Sequence, residues 1–494
     1  MSQADIDRMR LLPVAPGGLF IAGQFEKAAD GAMIDVISPI DGKVFSQIAA
    51  GAARDVDRAV AAARASFEAG KWSRAAPAER KKVLFRIAEL IEKHALELAV
   101  LGVRDNGTEI SMAIKAEPGS AAATFRYYAE AIDKVYGEIA PTAPNVLGMI
   151  SREPVGVVAA IVPWNFPMMI AAWKIAPALA AGNSVVLKPA EIASLSLLRL
   201  VELCAEAGLP EGVLNVVTGY GNTVGEALGL HMDVDVMVFT GSGGVGRRLL
   251  EYSARSNLKR CYLELGGKSP NVVFADTPDL DAAAKVSAYG IFRNSGQVCV
   301  AGSRLIVEDS IHDEFVEKVA KIAASLRVGD PLDLATESGA ITSQVQMEKD
   351  LGFMHEAAAE GGRLETGGSQ ILQETGGFYL APTVFSGITE SMKLAQEEVF
   401  GPVLGVMRFS GEAEAVRLAN STVYGLASAV WTANLGRAHR MVRAIKAGVV
   451  HVNTYGGADG TVPLGGVRQS GNGHDKSLHA LEKYTDLKTA WIQL

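Results

Sequence analysis

From residue 155 onward, apolar strands alternate with segments of helical periodicity, and this alternation limits the fold more than any other feature of the sequence. Helices are predicted at about 168–181, 194–207, 222–230 and 245–256. The strands between them are predicted at Val155–Val162, Ser184–Leu187, Gly212–Val217, Val234–Thr240 and Cys261–Leu265. Strands that are apolar along their whole length are typical of a parallel sheet covered on both faces. Ligands of such sheets bind beyond the carboxyl ends of the strands.

A second α/β series runs from residue 271 to about residue 453. Its predicted strands include Asn271–Phe274, Leu305–Val307, Val403–Phe409, Ala427–Trp431 and Val449–Val452. Upstream, residues 54–70 and 79–101 have the spacing of amphipathic helices. Residues Tyr484–Trp491 are predicted to form one exposed strand, which needs a partner edge from another domain or subunit. For 494 residues, two or three domains are expected.

Charge and cysteine content exclude several classes of protein. Asp and Glu number 55 against 47 Lys and Arg, without a basic run, so no nucleic-acid partner is expected. The three cysteines form no CxxC pair and the eight histidines no HExxH motif, so neither a disulfide scaffold nor a metal site is predicted. The longest apolar region, 155–187, is interrupted by Asn165, Lys174 and Gly182, and the first residues lack the pattern of a signal peptide. We therefore expect a cytoplasmic protein with no membrane partner.

Two motifs favour a nucleotide ligand. The loop from Gly241 through Ser242 to Gly246 matches GxGxxG between a strand and a helix, where free N–H groups at the helix start can bind phosphate. Lys188 and Glu191 end the second strand and can hold both hydroxyls of a ribose. A tight turn and an exposed charge pair are the structural alternatives.

Two further residues are candidates for covalent chemistry. Cys299 lies in a loop of small residues, whereas Cys204 lies on the apolar face of a helix and is predicted to pack in the core. Asn165 follows the first strand between two prolines, and its amide can donate to a developing oxyanion. Taken alone, Cys299 has a structural alternative as a buried thiol and Asn165 as a turn residue.

Four motifs together resemble the aldehyde dehydrogenase superfamily in order and spacing, over essentially the whole chain. They are Pro163-Trp-Asn-Phe-Pro167, Leu263-Glu-Leu-Gly-Gly-Lys-Ser-Pro270, Gly296-Gln-Val-Cys-Val-Ala-Gly-Ser-Arg304 and Glu398-Val-Phe-Gly-Pro402. The resemblance implies an α/β fold with a Rossmann-type parallel-sheet cofactor domain, an α/β catalytic domain and a small β oligomerisation element. The expected bounds are 1–130 and 152–262 for the NAD-binding domain, 263–469 for the catalytic domain, and 131–151 and 477–494 for the oligomerisation element. A homodimer or homotetramer is implied.

The resemblance also implies catalytic roles. Cys299 is the nucleophile that forms a thiohemiacetal with an aldehyde, and Asn165 helps to hold the oxyanion. Glu264 is the general base that activates water for thioester hydrolysis, with Lys174 and Asp475 as its proton route. Position alone suggests another role for Glu264, because it lies about 20 residues beyond the glycine loop, where a ribose-binding carboxylate is expected.

NAD is the implied cofactor, and the Glu191 carboxylate would repel the 2′-phosphate of NADP. Lys188 and Glu191 are expected at one ribose, Ser242 at the phosphates, and Glu398 and Phe400 at the nicotinamide end. The other implied cofactor residues are Ile161, Trp164, Gly221, Gly225, Phe239, Gly241, Val245, Leu265 and Gln346.

The implied substrate residues suit an apolar tunnel with a wide mouth. They are Phe166, Met169, Ile170, Trp173, Val298, Val300, Ala458, Asp459 and Leu464. The segments Ser470–Tyr484 and Ala131–Gly137 are similar to γ-glutamyl-γ-aminobutyraldehyde dehydrogenases, which favours a long or bulky aldehyde such as γ-glutamyl-γ-aminobutyraldehyde. Indole-3-acetaldehyde, 3-hydroxypropanal and a broad range of aldehydes are the alternatives.

Three other functions compete with this interpretation. A dehydrogenase that transfers the acyl group to coenzyme A would also use Cys299, although a hydrolytic base at Glu264 would waste the thioester. The run from Tyr484 to Lys488 fits the YxxxK motif of short-chain reductases, but it lies on a strand-like pattern, where that chemistry needs a helix. A non-catalytic NAD-binding protein would not need the combination of Cys299, Glu264 and Asn165.

Overall fold

A computed structural model describes residues 2–457 and 459–494 of the chain. The strands in these residues are β1 (Leu19–Ile21), β2 (Gln24–Glu26), β3 (Met33–Ile37), β4 (Val44–Ala49), β5 (Glu138–Ala140), β6 (Val146–Pro154), β7 (Val157–Ile161), β8 (Ser184–Lys188), β9 (Leu214–Val216), β10 (Val236–Thr240), β11 (Arg260–Glu264), β12 (Pro270–Val273), β13 (Arg304–Glu308), β14 (Arg363–Thr366), β15 (Gln370–Ile371), β16 (Tyr379–Leu380), β17 (Thr383–Ser386), β18 (Val403–Phe409), β19 (Ala427–Trp431), β20 (Val449–Val452) and β21 (Thr485–Gln493).

The α-helices are α1 (Gln3–Arg10), α2 (Ala53–Ala69), α3 (Pro77–Lys93), α4 (Ala95–Asn106), α5 (Ile110–Ile114), α6 (Ser120–Ala131), α7 (Pro167–Ala181), α8 (Leu195–Glu206), α9 (Glu226–Leu230), α10 (Gly243–Ala254), α11 (Leu280–Phe292), α12 (His312–Ser325), α13 (Gln344–Ala359), α14 (Lys393–Gln396), α15 (Glu412–Ala419) and α16 (Leu435–Ala444). None of these helices combines the length and the apolar character that a membrane crossing requires.

The first large sheet has the strand order β11-β10-β7-β8-β9-β1-β2. Its five predicted strands pair in parallel, as their continuous apolar sequences indicate. Strands β1 and β2 extend the sheet antiparallel at the β9 edge. Helix α7 begins with Pro167 at its first turn, ends at Gly182 with a φ of 99°, and is buried along nearly its whole length. Strand β7, which contains Ile161, and helix α7, which contains Lys174, are therefore held firmly in the core.

The second large sheet has the order β14-β17-β18-β13-β12-β19-β20. All of its pairs are parallel except β14 with β17 at one edge. Its buried face packs on α13, α15 and α16 through residues such as Val272, Phe353 and Met441. Two α/β units, each built on a largely parallel sheet, thus confirm the predicted fold class.

A third sheet contains three antiparallel strands in the order β21-β6-β5. Strand β21 pairs along its whole length with β6 of the same chain, from Thr485 opposite Pro154 to Gln493 opposite Val146. The prediction that this strand begins at Tyr484 was wrong, because Tyr484 ends the 3-10 segment Leu478–Tyr484 and is buried.

Two predicted helices also differ from the structure. The helix predicted at 79–101 is interrupted at His94, whose φ and ψ of −103° and 14° end α3 before α4 begins. The helix predicted at 222–230 starts as the π-helical segment Gly221–Gly225 and continues as α9. Apolar periodicity alone does not reveal a change of helix type or a one-residue break.

Candidate active site

The loop before Cys299 has a strained backbone that neighbouring elements hold in place. Asn294, Ser295 and Gly296 have consecutive φ angles of 49°, 50° and 73°, a left-handed turn that is costly for the first two residues. Thr108 Oγ1 donates to Asn294 Oδ1 at 2.7 Å, and the Asn294 backbone N–H donates to Glu109 Oε1 at 3.1 Å. The turn is thus fixed from outside, and it sets the position of the thiol.

Asn165 lies against the same loop. Its side-chain Nδ2 donates to the backbone oxygen of Gln297 at 2.8 Å, and its own carbonyl accepts a hydrogen bond from Asn294 Nδ2 at 3.3 Å. An amide nitrogen carries two N–H groups, so the bond to Gln297 fixes the orientation and occupies only one of them. The second can reach an oxygen bound next to Cys299.

Cys299 opens onto a cavity of about 470 Å³. The cavity walls include Asn165 and eight of the nine predicted substrate residues: Phe166, Met169, Ile170, Trp173, Val298, Val300, Asp459 and Leu464. The ninth, Ala458, lies outside the described residues. Tyr127, Tyr128 and His451 also line the cavity and were not predicted, since α6 and β20 carry no local sign of a ligand. Apolar walls with a few polar groups are typical of a small-molecule site.

The thiol is held in an environment that disfavours its charged form. Burial, with the negative charges of Glu398 and Glu264 added to it, raises the pKa of Cys299 to about 12. Only the thiolate is a strong nucleophile. Protonation of either carboxylate would therefore favour the reactive form of Cys299.

Glu264 ends β11 and is buried, and its Oε1 has no hydrogen-bond partner among the described residues. Burial raises the pKa of Glu264 well above its usual value, and the charge of Asp475 adds to this, while Lys174 and Lys483 oppose it. Asp475 itself accepts from Lys174 Nζ at 3.0 Å and from Lys483 Nζ at 2.5 Å. A carboxyl group with a raised pKa and a free oxygen is a stronger base than an exposed glutamate and can take a proton from water.

The carboxyl ends of β8 and β10 form an open cleft. Lys188 Nζ contacts Glu191 Oε2 at 3.1 Å, and burial lowers the pKa of Lys188 against the opposing effect of Glu191. Ser242 caps α10, since its Oγ accepts from Val245 N at 3.4 Å, which leaves the hydroxyl proton free to donate. The start of α10 thus keeps its positive end toward the cleft.

The glycines of the cleft leave room for a ligand. A Cβ added to Gly221 or Gly244 would meet nothing within 4 Å, and one added to Gly225 would only touch Ile161 Cδ1 at 3.9 Å. At Gly241 the same atom would lie 2.4 Å from Phe239 Cζ. The open space lies beside the start of α10 and near the pair of buried Lys188 with partly exposed Glu191. These features fit an extended dinucleotide.

A second group of predicted cofactor residues lies across the cleft. Glu398 Oε1 accepts from Gly267 N at 2.9 Å, and burial raises the pKa of Glu398 to about 7. The ring of Phe400 packs edge-on against Trp164 with centroids 5.2 Å apart. Gln346 Nε2 donates to the carbonyl oxygens of Val399 and Phe400 at 3.0 and 3.3 Å. The side-chain nitrogen of Gln346 therefore fixes this segment.

Leu265, another predicted cofactor residue, packs against the start of α10. A Cβ added to Gly246 would lie 2.9 Å from Leu265 Cδ2, so the side chain of Leu265 packs directly under the start of α10. The ring contact between Trp164 and Phe400 thus joins predicted cofactor residues of the two α/β units.

The sequence profile of the Aldehyde dehydrogenase family matches residues 25–490. The chain belongs to the aldehyde dehydrogenase family.

Relatives of this aldehyde dehydrogenase share its full length. The "NADP/NAD-dependent aldehyde dehydrogenase PuuC" of Escherichia coli K12 is 51% identical over 476 residues, which are 96% of this chain and 95% of that protein. A mutant of the P. syringae indole-3-acetaldehyde dehydrogenase AldA, in complex with NAD+ and IAA, has a TM-score of 0.98 and 52% identity with full coverage of both chains. The γ-glutamyl-γ-aminobutyraldehyde dehydrogenase of Burkholderia cenocepacia J2315 has a TM-score of 0.98 and 50% identity, again over both whole chains.

These likenesses confirm the predicted family, its fold and the resemblance to γ-glutamyl-γ-aminobutyraldehyde dehydrogenases. They exclude the short-chain reductase alternative, and the structure gives the reason: Tyr484 is buried in a 3-10 segment, and Lys488 lies on a strand of the separate three-stranded sheet rather than on a helix.

The sequence missed one buried charged residue of this aldehyde dehydrogenase site. Lys483 pairs with Asp475 in the interior, but no local pattern distinguishes it from a surface lysine of a terminal segment. Its partner lies eight residues earlier in the chain, which is not a spacing that either helices or strands bring together.

Proposed function

We propose that this aldehyde dehydrogenase oxidises a long or bulky aldehyde to its carboxylic acid through a thioester on Cys299. The observation that carries the proposal is the shared cavity of Cys299 and Asn165, beside a buried carboxyl group, Glu264, with a free oxygen. A nucleophile, an oxyanion donor and a base are the three groups that acyl chemistry of this kind requires.

The residues act in a fixed order. The thiol of Cys299 loses its proton to solvent water, and the sulfur bonds to the aldehyde carbon, so that the carbonyl oxygen becomes an oxyanion. The free N–H of Asn165 and the backbone N–H of Cys299 hold that oxygen. Cys299 carries a thioester once hydride has left the carbon.

Glu264 then takes a proton from water, which attacks the thioester carbon. The acid leaves and the thiol of Cys299 is restored. The buried Lys174–Asp475 pair passes the proton on from Glu264. Hydrolysis at a buried base distinguishes this cycle from acyl transfer to coenzyme A.

NAD is the proposed cofactor, and when bound it supplies the acceptor for the hydride. Lys188 and Glu191 hold one ribose, Ser242 and the start of α10 hold the phosphates, and Glu398 with Phe400 holds the nicotinamide end. The open space beside the glycines of the cleft supports this assignment. One relative at 51% identity is named for NADP and NAD, and two solved structures at 52% identity are complexes with NAD+.

The carboxylate of Glu191 favours NAD over NADP, because a 2′-phosphate would place like charges together. The PuuC relative is named for both cofactors, so the preference is checked directly. We expect a kcat/KM at least ten-fold higher with NAD, and a higher value with NADP would overturn this assignment of Glu191.

We propose γ-glutamyl-γ-aminobutyraldehyde as the substrate. The cavity is large and aromatic, and Gly456 and Gly457 leave its mouth wide next to the exposed Asp459. The Burkholderia enzyme at 50% identity carries this activity in its name. Indole-3-acetaldehyde is the second candidate, because the AldA neighbour is named for it and the walls include Phe166 and Trp173.

We further propose that residues 1–130 and 152–262 form the cofactor domain, 263–469 the catalytic domain, and 131–151 with 477–494 an oligomerisation element. The exposed side chains of Ile139, Leu487 and Trp491 on the third sheet support assembly into a homodimer or homotetramer. The three cysteines are free, as is usual in a reducing compartment, and we propose a cytoplasmic location.

The test is NADH formation by the purified protein across a panel of aldehydes. We expect the highest kcat/KM with γ-glutamyl-γ-aminobutyraldehyde, then indole-3-acetaldehyde, and no activity in Cys299→Ala. The product should be the free acid, and added coenzyme A should give no acyl-CoA. Undiminished oxidation by Cys299→Ala would refute the mechanism, and acyl-CoA as the product would replace hydrolysis by transfer.

A further inference from the structure

The segment Leu478–Tyr484 places a second lysine in the catalytic interior. Lys483 is 4% exposed, and its Nζ lies 2.5 Å from Asp475 Oδ1. The other oxygen of Asp475 takes Lys174 Nζ at 3.0 Å. Asp475 therefore bridges two buried ammonium groups, each on its own carboxylate oxygen.

The cluster of Lys174, Asp475 and Lys483 is electrically neutral only when the negative charge of Glu264 is included. Lys174, Asp475 and Lys483 together carry a net charge of +1, and an unbalanced charge in the interior is strongly unfavourable. Glu264 is the fourth ionisable member, since it forms an isolated β-bridge with Gly471, four residues before Asp475, and the charges of the other three act on it. With Glu264 ionised the four groups are neutral, and with Glu264 protonated they are not.

The other titratable groups around the cluster do not change this balance. Burial keeps the pKa of Tyr128 and of Tyr484 above their usual value, so both are neutral at physiological pH. His474 is exposed, and the positive charge of Lys476 is offset by Asp459, whose charge acts on Lys476 more strongly than that of Asp475 does.

Removal of the Lys483 charge would reverse this charge balance. Lys174 and Asp475 would form a neutral pair, and ionised Glu264 would be one buried negative charge too many. Lys174 alone therefore cannot serve both carboxylates.

We propose that Lys483 is a positioning residue, which supplies the second positive charge that allows Glu264 to lose its proton and act as the base. The proposal rests on the proposed thioester mechanism. It assigns Lys483 no contact with the substrate.

The backbone around Lys483 is anchored independently of its charge. The carbonyl of Tyr484 accepts from Asn183 Nδ2 at 3.0 Å and from Val155 N at 3.3 Å. Lys483→Met keeps the length and the apolar stem of the side chain, so it tests the charge alone.

The experiment follows the hydrolysis of an acetyl group on Cys299, which needs no cofactor. A pulse of p-nitrophenyl acetate acylates the protein at low pH, and mass spectrometry follows the loss of the acetyl group from pH 6 to pH 10. For Lys483→Met we expect the acid limb of the hydrolysis profile to move up by at least about one pH unit, which lowers the rate on that limb about ten-fold, with recovery at high pH. Lys483→Arg should restore the wild-type profile.

The matched control is Lys259→Met. Lys259 is equally buried, but among the described residues its Nζ donates only to Gly229 O and Ser256 Oγ, at 2.6 and 2.7 Å. This variant should keep the wild-type profile. A Lys483→Met profile that is unshifted, or lowered equally at every pH, would overturn the proposal.

The experiments distinguish a failure of the proposed function from a failure of the role proposed for Lys483. If the wild-type protein loses its acetyl group normally yet oxidises no aldehyde, the function is wrong and the role of Lys483 is still measured. If it oxidises aldehydes and Lys483→Met shows no shift, only the role of Lys483 is wrong.

Discussion

Replacement of Glu264 by glutamine should separate the chemistry from cofactor binding. Glu264 ends β11 and Lys188 ends β8, which are three strands apart in the order β11-β10-β7-β8. At about 4.8 Å per strand the two ends are roughly 14 Å apart, too far for one ribose to contact both. Glu264→Gln should therefore leave the Kd for NAD within about two-fold of the wild type if Lys188 and Glu191 hold that ribose.

The same substitution should stop the cycle after the thioester forms. Loss of a general base typically costs about 10²- to 10⁴-fold in rate. Acylation should survive, because Glu264 is one of the negative charges that raise the pKa of Cys299, and glutamine removes that charge. The expected signature is a burst of about one NADH per active site followed by slow turnover.

Glu191→Gln is the matched counterpart. A charge-assisted hydrogen bond contributes about 1.5–3 kcal/mol, so NAD should bind roughly 10- to 150-fold more weakly, with kcat at saturating NAD nearly unchanged. Stopped-flow fluorescence measures the burst, and titration calorimetry measures the Kd. If Glu264→Gln weakens NAD binding ten-fold or more and shows no burst, Glu264 is a ribose ligand and the reasoning fails.

Three further changes test other parts of the structure. In Gly267→Ala the new Cβ would lie 2.7 Å from the backbone oxygen of Cys299, so kcat should fall at least about 100-fold with a normal circular dichroism spectrum; Gly352→Ala, whose Cβ meets nothing within 4 Å, should keep full activity. Glu117 caps the start of α7, and burial raises its pKa from 4.5 to about 8. The native state therefore holds an extra proton between these values, and wild-type stability falls as pH rises through this window, by up to about 1.4 kcal/mol per pH unit. The guanidinium midpoint of Glu117→Gln should increase relative to that of the wild type from pH 5 to pH 8. A difference between the two midpoints that stays constant with pH would contradict the raised pKa of Glu117. Trp491→Glu places a charge on the exposed face of the third sheet, and light scattering should detect a smaller assembly; an unchanged mass would show that subunits associate elsewhere.

The parallel sheets could be predicted because their strands are apolar on both faces, a pattern that needs no knowledge of neighbours. Strands β1 and β2, with three residues each, are too short to show alternation. Pairing holds them in place, β1 against β9 and β2 against β1. The same limit applies to the break at His94, where one residue leaves helical geometry inside a continuous apolar stripe.

For the site, the sequence identified residues that belong to short motifs. Cys299, Asn165 and eight of the expected substrate residues share one cavity in the structure. Glu109 and Glu117 act through partners far away in the chain, at separations of 185 residues for Glu109 and Asn294 and 52 residues for Glu117 and Met169. Lys483 has its partner eight residues away, outside any regular helix or strand spacing. Their importance comes from burial and pairing, which appear only once the chain has folded.

The charged cluster around Asp475 also has a consequence for the timing of synthesis. Helix α7 and the thiol loop leave the ribosome well before Asp475 and Lys483, by on the order of ten seconds or more at typical elongation rates. Until then a nascent chain carries the sulfur and part of its pocket but lacks both ion pairs that govern the base. Such a chain could at most be acylated once, and it gains the ability to turn over only when its C-terminal residues close against β6.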